Sequence, residues 1–577
     1  MRIGLFALVM VMIALPAHAA ATTADMPRRP NIVVIMSDDM GYSDAGCFGG
    51  EIDTPNIDRL AAGGLRFTQF YNTSRCCPTR ASLMTGVYPH QAGVGHMTWK
   101  QLDLPGYRSD LSKHTPTIAE LLKSAGYATY MTGKWHLTFN DLPNKPPREN
   151  WPRQRGFDRF YGMITGSGSY YDPRMLVREN MPLSPAADAE YKPEKYYFTD
   201  AIADQSARYI AEHHAAPAQK DTPFFLYVAF TAPHWPLHAP EETIAKYKGK
   251  YDGGYEPVRA ARFERMKSMG FVDPKWELSP AREKWADQKH QAWEARCMEV
   301  YAAQIDRMDQ GAGKIVDALK AAGQLDNTLI LFLHDNGGCD EPNGRTARLP
   351  KVDLNPPDHK PTDTQWNSRP RVTRDGRPIR SGPQVMPGPD DTFIAYGANW
   401  ANVSNTPFRE YKHYVHEGGI STPLIAHWPA GITPARRGAM ERTPGHVVDI
   451  VATCVELAGV TFPAEFNGKL TTPLQGVSFA PTFASGGSPP PRGKPIFFEH
   501  EGNRAVRDGK WKLVAKGVKG AWELYDMEAD RTEMHDLAAT EPGRVKAMAT
   551  AWQQWAAESN VLPLIPWAEA AGSGGAE

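Results

Sequence analysis

Cysteine is scarce, with six residues in a chain of 577. So few cannot form the disulfide framework that holds a small secreted fold together. An excess of charge of either sign is missing too: Lys and Arg number 64 against 65 Asp and Glu, a net charge of −1. A general nucleic-acid binder would carry a basic surplus, so no nucleic-acid partner is expected. Long hydrophobic runs are absent. The stretch from Ile3 to Pro16 is too short to span a bilayer comfortably, and no membrane partner is expected. No repeat at a solenoid period occurs. What is there is ordinary globular composition, 41% hydrophobic and 22% charged, with enough apolar mass for a core. The 50 Gly and 49 Pro predict long loops between regular elements.

Arg2 precedes the early apolar stretch and Ala17-His18-Ala19 follows it. A positive start, a short apolar segment and a small-x-small end read as a signal peptide over residues 1–19, with an uncleaved anchor as the alternative. Residues 20–29 then form a tether. The Ala-x-Ala site is of the bacterial type, so export to the periplasm is expected.

Beyond the tether, apolar runs alternate with helical patterns. Asn31–Met36, Leu65–Phe70, Ala128–Met131, Pro223–Phe230, Thr328–Leu333 and Pro423–His427 read as strands, several buried on both faces. Helices are expected over 55–62, 115–125, about 282–322 and 446–458. The pattern predicts an α/β fold with a large, mostly parallel central sheet flanked by helices. Residues 340–405 are rich in Pro, Gly, Arg and Asp and read as an irregular insertion beside a strand end, with disorder as the alternative for its centre. A Gly/Ser/Pro cluster near 484–495 divides a domain at 30–490 from a subdomain at 491–577. Four short segments follow, at 496–499, 504–507, 511–515 and 522–525, and predict a small antiparallel sheet with a terminal helix near 541–557.

The residues that carry chemistry cluster at predicted strand ends. Asp38-Asp39 closes the first strand and Asp335-Asn336 the strand at 328–333. Each pair alone is common loop chemistry. Together, three carboxylates and an amide oxygen form a hard, all-oxygen set suited to Ca²⁺ or Mg²⁺. Thr132-Gly133-Lys134-Trp135-His136, Ala232-Pro233-His234-Trp235-Pro236-Leu237 and Tyr411-Lys412 also lie at or beyond strand ends, where ligands collect in open α/β sheets. Gly166–Tyr171 offers two tyrosines as a possible aromatic lining of the mouth, with a plain loop as the alternative.

Cys76-Cys77-Pro78-Thr79-Arg80, with Leu83, Thr85 and Gly86 behind it, resembles the signature of the formylglycine-dependent sulfatases, arylsulfatase-like members of the alkaline phosphatase superfamily. The resemblance implies an alkaline-phosphatase-like sandwich and hydrolysis of sulfate monoesters, aryl or carbohydrate. It implies that Cys76, rather than Cys77, is oxidised to formylglycine by a formylglycine-generating or anaerobic sulfatase-maturing enzyme. It maps Asp38, Asp39, Asp335, Asn336 and the modified Cys76 onto ligands of one Ca²⁺, with Mg²⁺ as the alternative. It places Lys134, His234 and Lys412 on the substrate, Arg80 on the formylglycine, and His136 beside it. His234 and Lys412 share the role of protonating the leaving group. Phosphonate monoester and phosphodiester hydrolases carry similar machinery and form the alternative reading, and a non-catalytic binder of sulfated glycans is a third.

Overall fold

The computed structural model describes residues 29–139, 147–347, 360–484 and 492–566. The expected signal peptide and nearly all of the tether lie outside these residues. So do residues 348–359 of the 340–405 insertion and most of the expected 484–495 junction.

Among the described residues an eleven-stranded sheet forms the middle layer. Its strands are β1 (Asn31–Ser37), β2 (Leu65–Tyr71), β3 (Ala128–Lys134), β4 (Arg159–Met163), β5 (Leu176–Arg178), β6 (Met181–Pro182), β7 (Phe224–Ala229), β8 (Thr328–His334), β9 (Ser421–His427), β10 (Met440–Glu441) and β11 (Gly445–His446). The order is β10-β2-β9-β8-β1-β7-β3-β4-β5-β6, with β11 also on β2. β8, β1, β7, β3 and β4 are successively parallel. β9 is antiparallel to both β8 and β2. The expected α/β architecture is therefore observed.

The continuous apolar run of β1 has a direct cause. Successive side chains point to opposite faces of a sheet. Val33 and Ile35 enter one core with the helices Phe198–Ala215 and Gln291–Ala321. Ile32, Val34 and Met36 enter the other, with Cys76–Thr85, Ile118–Ser124 and Val448–Ala458. A strand covered on both sides has no polar face to display.

The long helix begins at Gln291, about nine residues later than expected. Trp285 accounts for this. Its ring packs edge-on against Tyr255 at 5.0 Å and Trp400 at 6.2 Å, and its amide donates to Glu256 at 3.0 Å. The segment ahead of Gln291 is thereby drawn onto the helix Tyr255–Ser268.

A hairpin, β12 (Glu465–Phe466) and β13 (Lys469–Leu470), precedes the small antiparallel sheet β14 (Ile496–His500), β15 (Asn503–Asp508), β16 (Trp511–Ala515) and β17 (Glu523–Asp526). One face of that sheet packs under the helix Pro542–Glu558 through Val506, Leu513, Leu524, Trp552 and Trp555. The other meets Tyr71, Val415 and Ile420 of the main body. A buried ion network crosses this junction. Glu417 accepts from Lys512 at 2.9 Å and from Arg531 at 2.9 Å. Lys512 also pairs with Glu533 at 2.7 Å. Arg531 reaches the Thr68 carbonyl at 2.7 Å and Ser421 Oγ at 2.6 Å.

Burial opposes ionisation of Glu417, but Lys512 and Arg531 hold its carboxyl down to about 2, against an ordinary 4.5. A depressed carboxyl stabilises the fold above its unfolded value, and that contribution is lost as pH falls from about 4.5 towards 2. Glu417→Ala leaves Lys512 and Arg531 with an uncompensated share of buried charge. We expect a loss of about 3–5 kcal/mol in urea unfolding at pH 7. The gap between the two proteins should narrow as the pH approaches 3.

Candidate active site

All ten residues singled out in the sequence meet at one edge of the central sheet. The carboxyl end of β1 delivers Asp38 and Asp39, and that of β8 delivers Asp335 and Asn336. β3 ends on Lys134, with His136 two residues on, and β7 leads through Phe230 to His234. β2 leads through Asn72 to the helix that opens with Cys76. Lys412 precedes β9. Because β9 runs antiparallel to its neighbours, its N-terminal side lies at the edge where the parallel strands end. The loops after β8 and before β9 are pressed together. Gly337 N donates to the Gly419 carbonyl at 3.0 Å and Lys412 N to that of Gly338 at 3.2 Å. A Cβ on Gly337 would fall 1.8 Å from the Gly418 oxygen, so only glycine permits the approach that brings Lys412 in.

Cys76 is the first residue of its helix. Positions four apart share a helix face, so the spacing from Cys76 to Arg80 puts the thiol and the guanidinium on one side. Arg80 is fully buried. It donates to Asp335 Oδ2 at 2.8 and 3.2 Å, to the Lys134 carbonyl at 3.2 Å and to the Tyr227 hydroxyl at 3.2 Å. Burial alone would raise the Cys76 thiol. The Cys77 hydrogen bond, Lys134 and His136 outweigh it and hold the thiol well below its usual range. The Sγ atoms of Cys76 and Cys77 and a ring nitrogen of His136 lie within 4.8 Å of one another. Burial pushes the Cys77 thiol up, so the two adjacent cysteines differ sharply in character. Burial also brings His136 down to about 4, so its ring is neutral at pH 7.

The acidic residues form a continuous set. Lys134 Nζ donates to Asp38 Oδ2 at 2.7 Å. Lys412 Nζ donates to Asp39 at 2.9 Å and lies 3.5 Å from His234 Nε2. Asn336 Nδ2 donates to Asp39 Oδ1 at 2.7 Å, and the Asp39 amide donates to Asp335 Oδ1 at 3.2 Å. Burial and the Asp38 charge raise Asp335 to about 8. Burial opposes ionisation of Asp39, yet Lys412 and His234 keep its carboxyl low. Two buried acceptors, Asp38 Oδ1 and Asn336 Oδ1, have no hydrogen-bond donor. Orphaned buried oxygens are costly. A hard cation would satisfy both, so the donor chemistry fits an oxygen-ligated divalent ion.

His234 is fixed by its neighbours. Its Nδ1 lies 2.7 Å from the Trp235 carbonyl, which leaves Nε2 towards Asp39 at 3.4 Å. Burial, with Lys412 nearby, lowers His234 to about 4. Tyr170 is buried, and its hydroxyl donates to the carbonyls of Thr231 and His234 at 2.7 and 2.8 Å. It supports the His234 loop from beneath and does not line an open mouth.

Glu341 is the residue that sequence reading missed. It accepts from Arg75 at 2.8 Å and from Trp235 Nε1 at 2.7 Å, and lies 3.9 Å from Lys412 Nζ. Burial opposes its ionisation, but Lys412 and Arg75 hold it well below the usual carboxylate range. It stands at the start of a segment without periodicity, where no pattern marks it. The described part of that insertion is packed, not loose. Phe393 lies 5.5 Å from Trp235 with the Arg369 guanidinium 4.9 Å over its ring. Asp172 accepts from Arg374 at 2.8 and 3.0 Å.

Comparison with known proteins gives the family. The sulfatase family model matches residues 30–460. The chain is similar to an arylsulfatase of Klebsiella aerogenes, 35% identical over 483 residues, covering 80% of this chain and 93% of the relative. It is similar to an uncharacterised sulfatase of Schizosaccharomyces pombe, 32% identical over 572 residues, covering 93% and 95%. A solved structure of a protein in complex with its substrate D-glucosamine-2-N,6-O-disulfate shares the fold, with a TM-score of 0.59, 20% identity and coverage of 93% and 99%. The chain belongs to the sulfatase family of the alkaline phosphatase superfamily and is a sulfuric ester hydrolase.

Proposed function

We propose that the chain hydrolyses aryl or carbohydrate sulfate monoesters to an alcohol or phenol and inorganic sulfate, at a formylglycine that a maturing enzyme makes from Cys76. The observation that carries this is the surroundings of Cys76. It opens a helix with Arg80 on its face and Lys134 and His136 beside it, and it adjoins four oxygen-bearing ligands. The arylsulfatase relative supports the aryl branch, and the sugar disulfate bound by the fold neighbour supports the carbohydrate branch.

Asp38, Asp39, Asp335, Asn336 and residue 76 would hold one divalent cation, Ca²⁺ by the donor set with Mg²⁺ as the alternative. When bound, it supplies charge neutralisation on the sulfate oxygens and favours ionisation of the attacking hydroxyl. The hydrated aldehyde of residue 76 carries two hydroxyls on one carbon: one attacks sulfur, and loss of the other's proton then expels sulfate.

The remaining roles fall to side chains whose state is set by their surroundings. Lys134 and Lys412 neutralise charge on the transferring group, and Arg80 steadies residue 76. By the family resemblance Asp335 accepts the proton of the attacking hydroxyl, through a carboxyl whose Oδ2 accepts from Arg80 and whose Oδ1 accepts from the Asp39 amide. His136, neutral at pH 7, accepts the second proton. His234 is also neutral there, whereas burial of Lys412 is outweighed by Asp39, which keeps the ammonium charged. This division favours Lys412 as proton source for the departing oxygen, with His234 orienting it.

Cys76→Ala should abolish turnover of 4-nitrophenyl sulfate in protein made with a formylglycine-generating enzyme, while circular dichroism stays unchanged. Substantial residual turnover would defeat the mechanism. Asp38→Ala should lose the bound Ca²⁺ in elemental analysis of the dialysed protein; retention of a full equivalent would remove Asp38 from the ligand set. Lys412→Ala should slow alkyl or sugar sulfates about 10²-fold more than 4-nitrophenyl sulfate, whose leaving group needs little proton transfer. Equal losses on both would leave Lys412 with charge neutralisation only.

A further inference from the structure

Glu341 is a carboxylate of the active site without a step in the proposed reaction. Its two oxygens divide their partners. Oε1 accepts from Arg75 at 2.8 Å and lies 3.1 Å from His413 Nε2. Oε2 accepts from the Trp235 indole at 2.7 Å and lies 3.9 Å from Lys412 Nζ. Every one of these contacts ends on a catalytic side chain or on its neighbour in the chain. Arg75 precedes Cys76, Trp235 follows His234, and His413 follows Lys412.

The Oε2 side reaches the two groups that serve the departing oxygen. The rings of His234 and Trp235 are 4.4 Å apart, and His234 Nδ1 lies 2.7 Å from the Trp235 carbonyl. Where the indole sits therefore decides where the imidazole sits. Phe393 packs on the indole at 5.5 Å, and Nε1, the ring's one polar atom, is anchored on Glu341. Lys412 Nζ has two carboxylates within reach, Asp39 at 2.9 Å and Glu341 at 3.9 Å, with His234 Nε2 at 3.5 Å. Two anions hold that ammonium; removing Glu341 leaves Asp39 alone to place it.

The same contacts leave Glu341 no direct part in the chemistry. Burial opposes its ionisation, but Lys412 and Arg75 overcome it. Both oxygens are taken by donors, so the group neither carries a proton for the substrate nor binds it.

We infer that Glu341 is a positioning residue for the leaving-group side of the site: it fixes His234 through Trp235, and it fixes Lys412 by charge. The inference rests on the proposed roles of His234 and Lys412 and adds the residue that sets their geometry. Misplacing a proton donor by about 1 Å can cost about 10²-fold in rate. That loss grows with the need of the leaving group for a proton.

The test is leaving-group dependence. Glu341→Gln keeps an acceptor for the indole and removes the charge. Glu341→Ala removes both, and Trp235→Phe removes the indole donor alone. Each is made with a formylglycine-generating enzyme and assayed on substituted phenyl sulfates. In all three, kcat should fall by less than about threefold on 4-nitrophenyl sulfate and by about 30-fold on 4-methoxyphenyl sulfate, with KM unchanged. Crystal structures of the Glu341 variants give a readout free of the reaction: His234 or Lys412 should shift by about 1 Å while Asp38, Asp335 and Asn336 stay in place. If Glu341→Ala does not fold, the other two variants carry both measurements. Equal losses along the series, a rise in KM with kcat kept, or an unmoved His234 and Lys412 would overturn the inference and leave Glu341 a structural ion pair. The mass of the peptide containing residue 76 separates this from the reaction itself. An aldehyde there with equal losses defeats the positioning role alone. An unmodified thiol defeats the proposed reaction, and the crystal structures then decide the positioning role.

Discussion

Three carboxylates buried at a single sheet edge are the constraint on which the rest of this structure depends. Removing an ion from water costs several kcal/mol even after relaxation. Asp38, Asp39 and Asp335 lie within reach of one another and are buried. Such a group persists only if cations answer it. Lys134, Lys412 and Arg80 do so at 2.7–2.9 Å. Two oxygens of the set, Asp38 Oδ1 and Asn336 Oδ1, still have no hydrogen-bond donor. One of the cations, Lys134, also acts on Cys76, whose thiol it lowers together with the Cys77 hydrogen bond and His136.

The topology follows from that requirement. Parallel strands send their carboxyl ends to one edge, which brings five strands' worth of loops together. A sixth contribution, Lys412, needs a chain running the other way, and β9 supplies it. Glu417 ties this same segment to the C-terminal sheet through Lys512 and Arg531. The small subdomain thereby holds the segment that carries Lys412. His413 and Glu501, paired at 2.8 Å, lie on the same seam.

Backbone strain gathers here as well. Asp39, Ser74, His136, His413 and Glu501 all have left-handed φ values between 54° and 81°. Non-glycine residues hold such values only where the surroundings over-determine them. These five are on loops leaving strand ends or on the seam, where packing from two sides fixes them.

Much of this was legible in the sequence. Strands buried on both faces read as unbroken apolar runs because neither face meets water, and β1, β7 and β8 were visible for that reason. The spacing of Cys76 and Arg80 and the paired acids at strand ends were visible because local backbone geometry sets them. Other features were decided only by tertiary contact. The start of the long helix was displaced by Trp285 packing on Tyr255 and Trp400. β4 and the helix Tyr255–Ser268 carry weak patterns, the first short and glycine-containing, the second heavily charged, and take their form from neighbours. Glu341 gained its place from Arg75, Trp235 and Lys412, which lie 266, 106 and 71 positions away in the chain. Sequence by itself determines which residues can do the chemistry and which segments must be buried, because composition and short-range periodicity are local. Which carboxylate meets which cation is settled only when the sheet assembles, because those partners are far apart along the chain and their attraction exists only once water is excluded between them.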